Sequence, residues 1–499
     1  MFSILTPLVF MLITSGTILG LIFGAMPGVS ASMAVALALP FAYKMAPQTA
    51  VGFLAAVYSA SITGGGITAI LWRIPGTPSS APTVLDGYPM AQRGEAGKAL
   101  GFSLIASAAG GMIGALAMVL LCPQLSAVAR RLGYSELFAI GILGLCLLPC
   151  LDRGNIVKTM ISVFLGLLLV CMGVDPIHKT HRFAWSGSAF FSEIEMIPVM
   201  IGLFVTAEVL KQTKKHKKSG KIGINREKKD NTKQTVFPGA EEIWNTRLTI
   251  LRSSLVGLIV GIVPGAGSTV ASFLSYAIEK RMSKYPERMG TGIAEGIVAS
   301  EAANNAAAAG SMVPLLSFGI PGGNAAAIMM TILLVKGVPV GPSLIEVWPE
   351  YLSSVFFAMF LTNIVMVITA ALTVRWFENL IRIPYSVLGP VIMILAAVGA
   401  YGLNHSMRDV LLMAGAGIAG YMFIRLGYNS AALVLGLVLG QECERNFRLA
   451  YMLSGGKLSG VFSKPMTAVI LTVCAGMLAY SFWKGAVTEK RKEEDTAKP

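Results

Sequence analysis

The sequence predicts an all-α polytopic membrane protein of about ten to twelve transmembrane segments, in two inverted repeats with Pro-Gly broken helices or re-entrant hairpins. Three observations carry that expectation. Of 499 residues, 54% are hydrophobic and 13% charged, with 54 glycines, a balance suited to lipid rather than water. The chain also repeats itself about 240 residues apart. Residues 20–37, GLIFGAMPGVSASMAVAL, align with 257–274, GLIVGIVPGAGSTVASFL, and 58–77, YSASITGGGITAILWRIPGT, align with 304–323, NNAAAAGSMVPLLSFGIPGG. Finally, matched loops differ in charge: Lys44 stands alone after the first break, whereas 279–288 holds Lys280, Arg281, Lys284 and Arg288. Likewise 91–98 carries Arg93 and Lys98, while 337–350 has Glu346 and Glu350 and no base. Because cytoplasmic loops collect Lys and Arg, the switch places equivalent loops on opposite sides.

Taken in order, residues 1–210 form the first transmembrane repeat, with apolar runs at 4–43, 49–72, 99–129, 135–151, 155–174 and 190–210. At about 20 residues per crossing, the longest runs hold two spans or a hairpin. The start lacks a basic leader, and its Gly-rich end matches 257–265, so it reads as part of the fold and not as a signal peptide. Residues 211–247 read as a basic cytoplasmic linker. Of the formal net charge of +14, Lys211 to Lys233 supplies ten Lys or Arg against Glu227 and Asp230, which explains the basic balance without nucleic acid. Anionic lipid head groups are a secondary partner for that segment. The second repeat covers 248–484, with runs at 248–278, 291–335, 351–374, 385–404, 409–440 and 465–483, and a charged C-terminal tail follows at 485–499.

Catalytic and metal signatures are missing. Cys122, Cys146, Cys150, Cys171, Cys443 and Cys474 are scattered through apolar sequence and read as small core residues. Asp175, His178 and His181 lie close together but read as a polar turn, so no metal site is expected. There is no GxxxxGK phosphate loop followed by Ser or Thr, no GxSxG elbow and no HExxH pair. The expectation is therefore no enzyme and no cofactor, with any driving force an ion gradient or another subunit.

Chemistry falls instead on the paired breaks. Proline removes a donor and glycine tolerates the dihedrals that follow, so backbone groups freed there must find protein, water or a ligand. Exposed half-helix N-termini suit a carboxylate and freed carbonyls suit a sodium ion, the pattern of a transporter whose site lies between repeats. The candidate substrate or ion positions in the first half are Pro27, Gly28, Ser30, Ser32, Tyr58, Ser59, Thr63, Gly64, Gly65, Pro75, Gly76 and Thr77. Those in the second are Pro264, Gly265, Ser268, Thr269, Asn304, Asn305, Pro321, Gly322, Gly323 and Asn324. For Gly16, Gly20 and Gly24, close helix packing is the better reading. Adjacent Asn304 and Asn305 in an alanine-rich run are costly in lipid unless partnered. Arg73 is a candidate anion-facing charge that otherwise snorkels or pairs, and Glu301 a candidate coupling charge. Asp86, in DGYPMAQRGEAGKA, reads as part of a surface loop.

These blocks resemble the large membrane permease of the tripartite tricarboxylate transporters along nearly the whole chain. The likeness rests on GLIFGAMPGVSASMAVALALPF running on through YSASITGGGITAILWRIPGTPSSAPTVLDGYPMAQRGEAGKALG, and on VGIVPGAGSTVASFLSYAIEKRMSKYPERMGTGIAEGIVASEAANNAAAAGSMVPLLSFGIPG. IPVMIGLFVTAEVL and FIRLGYNSAALVLGLVLGQECERN extend it. The resemblance implies a multi-pass secondary active transporter of the bacterial inner membrane that imports small di- or tricarboxylates such as citrate by symport. It also implies a sodium or proton gradient as driving force, a small four-helix membrane subunit and an extracytoplasmic solute-binding protein. Arg73 and His405 depart from the family's usual residues. The alternative is an anion channel or a non-transporting membrane scaffold whose glycines only pack helices.

Overall fold

The computed structural model describes residues 6–151, 156–175, 181–182, 195–219, 237–381 and 385–496. Among these, regular structure is helical apart from a two-residue antiparallel ladder pairing Gly173–Val174 with His181–Arg182. The first half contributes α1 (Pro7–Ala25), α2 (Ala31–Lys44), α3 (Pro47–Trp72), α4 (Thr83–Met90), α5 (Ala96–Ala129), α6 (Tyr134–Leu151), α7 (Ile156–Cys171), α8 (Met196–Ile201) and α9 (Ala207–Ser219). Next come α10 (Ala240–Asn245), α11 (Arg247–Ile262), α12 (Gly267–Met282), α13 (Ala294–Phe318), α14 (Asn324–Val335) and α15 (Leu344–Val347). The chain closes with α16 (Pro349–Ile381), α17 (Tyr385–Asn404), α18 (Met407–Arg425), α19 (Ser430–Leu453), α20 (Leu458–Phe462) and α21 (Pro465–Thr496). Within the basic linker, α9 carries the start and α10 the end, and residues 220–236 lie outside the described residues.

Among the described residues, eight segments are long and apolar enough to cross a membrane: Pro7–Ala25, Pro47–Trp72, Thr83–Ala129, Met196–Lys214, Pro349–Thr373, Tyr385–Asn404, Met407–Arg425 and Pro465–Trp483. Ala31–Lys44 and Asn324–Val335 are apolar but shorter, below the ~20 residues of a full crossing. Each follows a Pro-Gly break, so the apolar runs 4–43 and 291–335 each divide into one long and one short helix. Leu8 and Met11 on α1, Ile394 and Val398 on α17, and Val469 and Val473 on α21 are exposed. Apolar stripes of this kind have lipid as their natural neighbour.

Two compact units emerge, Met1–Gln124 with Ile197–Tyr421, and Leu125–Met196 with Met422–Pro499. Each draws on both halves of the chain. In the larger unit α1 lies along α3, with Gly16, Gly20 and Gly24 pressed onto Phe53, Val57 and Ser61. At the sequence-matched positions, α11 lies along α13, with Gly257 and Gly261 pressed onto the backbones of Ala303 and Ala307. Lipid offers no hydrophobic drive between helices, so close packing of small residues has to supply the association. In the same unit Lys98 pairs with Glu242 at 2.7 Å. Lys98, with the Gly239 amide, holds the Glu242 carboxyl below the usual carboxylate range.

The smaller unit has its own logic. Gly166 on α7 and Gly436 on α19 meet backbone to backbone. Arg182 donates to Asp175 at 2.5 Å and to both Glu444 oxygens, and Arg448 joins the same two acids at 2.7 and 3.2 Å. That network ties the short ladder to α19. Asp175 is thus engaged with arginine, and His178 lies outside the described residues. Cys146, Cys443 and Cys474 are buried and unbridged, in keeping with small core residues.

Candidate functional site

The two first breaks have the same backbone cause. α1 stops at Ala25 and Gly28 turns the chain at φ 88°, while α11 stops at Ile262 and Gly265 does so at φ 83°. Only glycine enters that region without strain. Ser30 then caps α2, its hydroxyl accepting from the Met33 amide at 3.2 Å. By contrast α12 starts without a side-chain cap, as does α14 after Gly323. Two helix N-termini of the second half therefore keep amide donors free of any side-chain cap, beside a half-exposed Pro264 to Thr269 segment and an exposed Asn324.

The second breaks fold back in matching fashion. α3 ends at Arg73 and α13 at Gly319, both left-handed. Gly76 then donates its amide to Gly65 at 3.2 Å, and Gly322 donates to Ser311 at 3.1 Å. Gly76 sits against the Gly24 carbonyl and Gly322 against that of Gly261, so each second break is wedged against the first break of its own half. The Gly265 amide adds a bond to Gly322 at 3.1 Å. Across the halves, α12 packs against the Pro78–Ser80 turn and α14 against α2.

Long helices α3 and α13 form the centre and run antiparallel. Tyr58 meets Ser311 at 3.5 Å, Thr63 donates to Asn305 Oδ1 at 3.1 Å, and Gly66 faces Glu301. Advancing along one helix retreats along the other. Asn305 Nδ2 reaches Asn304 Oδ1 at 2.8 Å and the Glu301 carbonyl at 3.1 Å, and Asn304 Nδ2 reaches Glu301 Oε2 at 3.3 Å. Both amides are fully buried, and these partners offset the cost of placing them there. On the other side Thr77 gathers Ser79 and Ser80 within 3.0 Å, against Gly65.

Eight candidate residues thus fall into three buried groups, one of which also takes in Ser311: Thr63, Asn304, Asn305 and Glu301; Gly65, Gly76 and Thr77; and Tyr58 with Ser311. Ser59 is buried, and its hydroxyl has no partner. Gly64 lies against the Leu21 carbonyl, as its match Gly310 lies against Leu258, a packing role. Gly28 is covered by the side chain of Gln212 on α9. Pro27 and Ser32 are half-buried, Pro321 is buried and Pro75 half-buried beside its glycine. Arg73 is exposed over the ring of Tyr88 at 5.8 Å, apart from the three groups.

Asp86 requires a correction. It is buried and not in a surface loop, accepting from the amides of Gly290, Gly292 and Ile293 at 2.8 to 3.1 Å and from the Tyr276 hydroxyl at 2.8 Å. Those donors come from another part of the chain, so local composition alone suggested a solvated aspartate. Arg93 adds bonds to the carbonyls of Thr291 and Gly292, and the two side chains clamp the entry to α13. Sequence reasoning also missed Thr83, Ser103, Ser107 and Ser300 around Glu301. The spacing of Ser103 and Ser107, one turn apart on an apolar helix, was the available signal.

Residues 10–435 match the tripartite tricarboxylate transporter TctA family. The chain is 33% identical over 469 residues to an uncharacterized 52.8 kDa protein in the TAR-I ttuC' 3' region of Agrobacterium vitis, covering 94% of this chain and 92% of that protein. It is 36% identical over 215 residues to an uncharacterized protein in the TAR-II ttuC' 3' region of the same organism, covering 43% of this chain and 89% of the relative. No solved structure matches. Family membership makes the chain a transporter permease and not an enzyme, a multi-pass protein of the bacterial inner membrane. This chain belongs to the tripartite tricarboxylate transporter TctA family.

Proposed function

We propose that this chain is the permease through which a tripartite system imports small di- or tricarboxylates by secondary active transport. A sodium or proton gradient drives it, an extracytoplasmic solute-binding protein feeds it and a small four-helix membrane subunit accompanies it. The observation that carries the reading is the pair of helix N-termini without side-chain caps, at Gly267 and Asn324, beside the hydroxyls of Ser268 and Thr269. Amide donors with positive dipole ends recognise a carboxylate without a buried base. Placing that site on discontinuous helices leaves it free to open to either side. Antiparallel α3 and α13, which are sequence-matched helices of the two halves, support an inverted-repeat arrangement around it.

The test is uptake of radiolabelled citrate and a panel of other carboxylates into proteoliposomes holding this chain, its small partner and the binding protein, with and without an inward ion gradient. Accumulation that needs both the gradient and the binding protein is the expected result. Equilibration that needs neither would make the chain a channel, and absence of flux would leave a scaffold.

A further inference from the structure

Glu301 differs from the other buried acids in its company. Among the described residues, Asp175 and Glu279 pair with arginines, Glu136 pairs with Lys464, Asp86 is filled by backbone amides, and Asp409 takes the Asn404 amide in the first turn of α18, where the helix dipole favours a negative charge. Glu301 is fully buried and meets only neutral side chains. Thr83 Oγ1 lies 2.5 Å from its Oε1, while Ser107 Oγ and Asn304 Nδ2 lie 3.1 and 3.3 Å from its Oε2. Ser300 Oγ stands 3.0 Å behind Thr83. A carboxylate so enclosed is strongly disfavoured unless a cation joins it.

A second observation shows where that cation fits. Ser103 Oγ is buried, with the residue 1% exposed, and it has no hydrogen-bond partner. It lies 3.0 Å from the point that a Cβ on Gly66 would occupy, and Glu301 Oε1 lies 2.7 Å from the same point. The two oxygens face one spot without bonding to each other. A shared proton needs donor and acceptor within roughly 2.5–3.0 Å, whereas a hard cation with oxygens at roughly 2.3–2.6 Å bridges a wider gap.

We propose that Glu301, Thr83, Ser103, Ser107 and Ser300 form a sodium site, which holds the coupling cation of transport. The assignment rests on the ion-coupled reading above and deepens it by naming the ion and its ligands. It also separates the two cargoes: the carboxylate at the breaks near Gly267 and Asn324, and the sodium among hydroxyls between α4, α5 and α13.

Binding of radioactive sodium to the purified full chain, without substrate or partners, tests it. Saturable binding is expected for the wild type. Glu301→Gln should abolish it, and Ser103→Ala should weaken it by about tenfold. Gly66→Ala removes no ligand oxygen but sets a methyl group into the gap, where it displaces Glu301 Oε1, and should also abolish binding. Ser103→Ala removes a hydroxyl with no partner, so its melting temperature should match the wild type and keep the result interpretable should Glu301→Gln fail to fold. No saturable sodium binding by the wild type, or wild-type binding by Ser103→Ala and Gly66→Ala, would overturn the site. Uptake that follows a proton gradient with no sodium bound would make Glu301 a proton carrier instead. Because binding is read without substrate, its failure stands apart from failure of the transport reading, which the uptake assay decides.

Discussion

Asn304 contributes a donor to Glu301 and an acceptor to Asn305, so a single amide links the acid to the Thr63 contact between α13 and α3. Asn304→Ala should lower carboxylate uptake by roughly tenfold or more while leaving expression and membrane insertion normal, as read by uptake beside quantitative immunoblotting of membranes. Normal uptake would assign the asparagines to packing. That this pair needs buried partners was legible in the sequence because adjacent amides in an alanine run are costly without them. Thr83, Ser103 and Asp86 were not legible in the same way, since hydroxyls and a single aspartate acquire meaning only from partners elsewhere in the chain. Asp86→Asn turns an acceptor into a donor facing amides of Gly290 and Gly292. It should cost about 2 kcal/mol, read as a lower melting temperature of the purified protein. An unchanged temperature would mean that the clamp on α13 carries no stability.

At the scale of elements, Gly20 and Gly257 do matching work: a Cβ on the first would strike the Val57 carbonyl, and a Cβ on the second that of Ala303. Both obstacles are backbone inside a helix, which cannot swing aside as a side chain can. Gly20→Val and Gly257→Val should each cost about 1–3 kcal/mol through overpacking, again measured as thermal stability in detergent. Tolerance at one position and not the other would show that α1 on α3 and α11 on α13 are not equivalent interfaces. Helix positions were largely foreseen from apolar runs. The divisions at Gly28, Gly265 and the two Ile-Pro-Gly motifs were foreseen too, because proline and glycine act locally. What the runs did not disclose is that α2 and α14 have 14 and 12 residues, since hydropathy alone cannot tell a short helix beside a break from a crossing helix.

For the whole molecule, the sense of the two halves decides whether alternating access is available by exchange of equivalent conformations. One structural fact favours an inverted relation. The sequence-matched helices α3 and α13 run antiparallel. At the far ends of the short helices, Lys336 after α14 donates to the carbonyls of Tyr43 and Met45 at the end of α2, at 2.9 and 2.8 Å. Tyr276 near the end of α12 instead meets Asp86 on α4. These contacts group α2 with α14 and α12 with α4, a pairing that a two-fold relation of either sense produces. Loop charge adds the direction, since the Lys280 to Arg288 segment is basic and the Lys44 loop is sparse. Single cysteines replacing Lys44 and Lys284 should therefore label from opposite sides of sealed vesicles, residue 284 from the cytoplasmic face with the basic linker. Labelling of both from one side would make the repeats parallel, and the paired breaks would then have to open toward the same compartment.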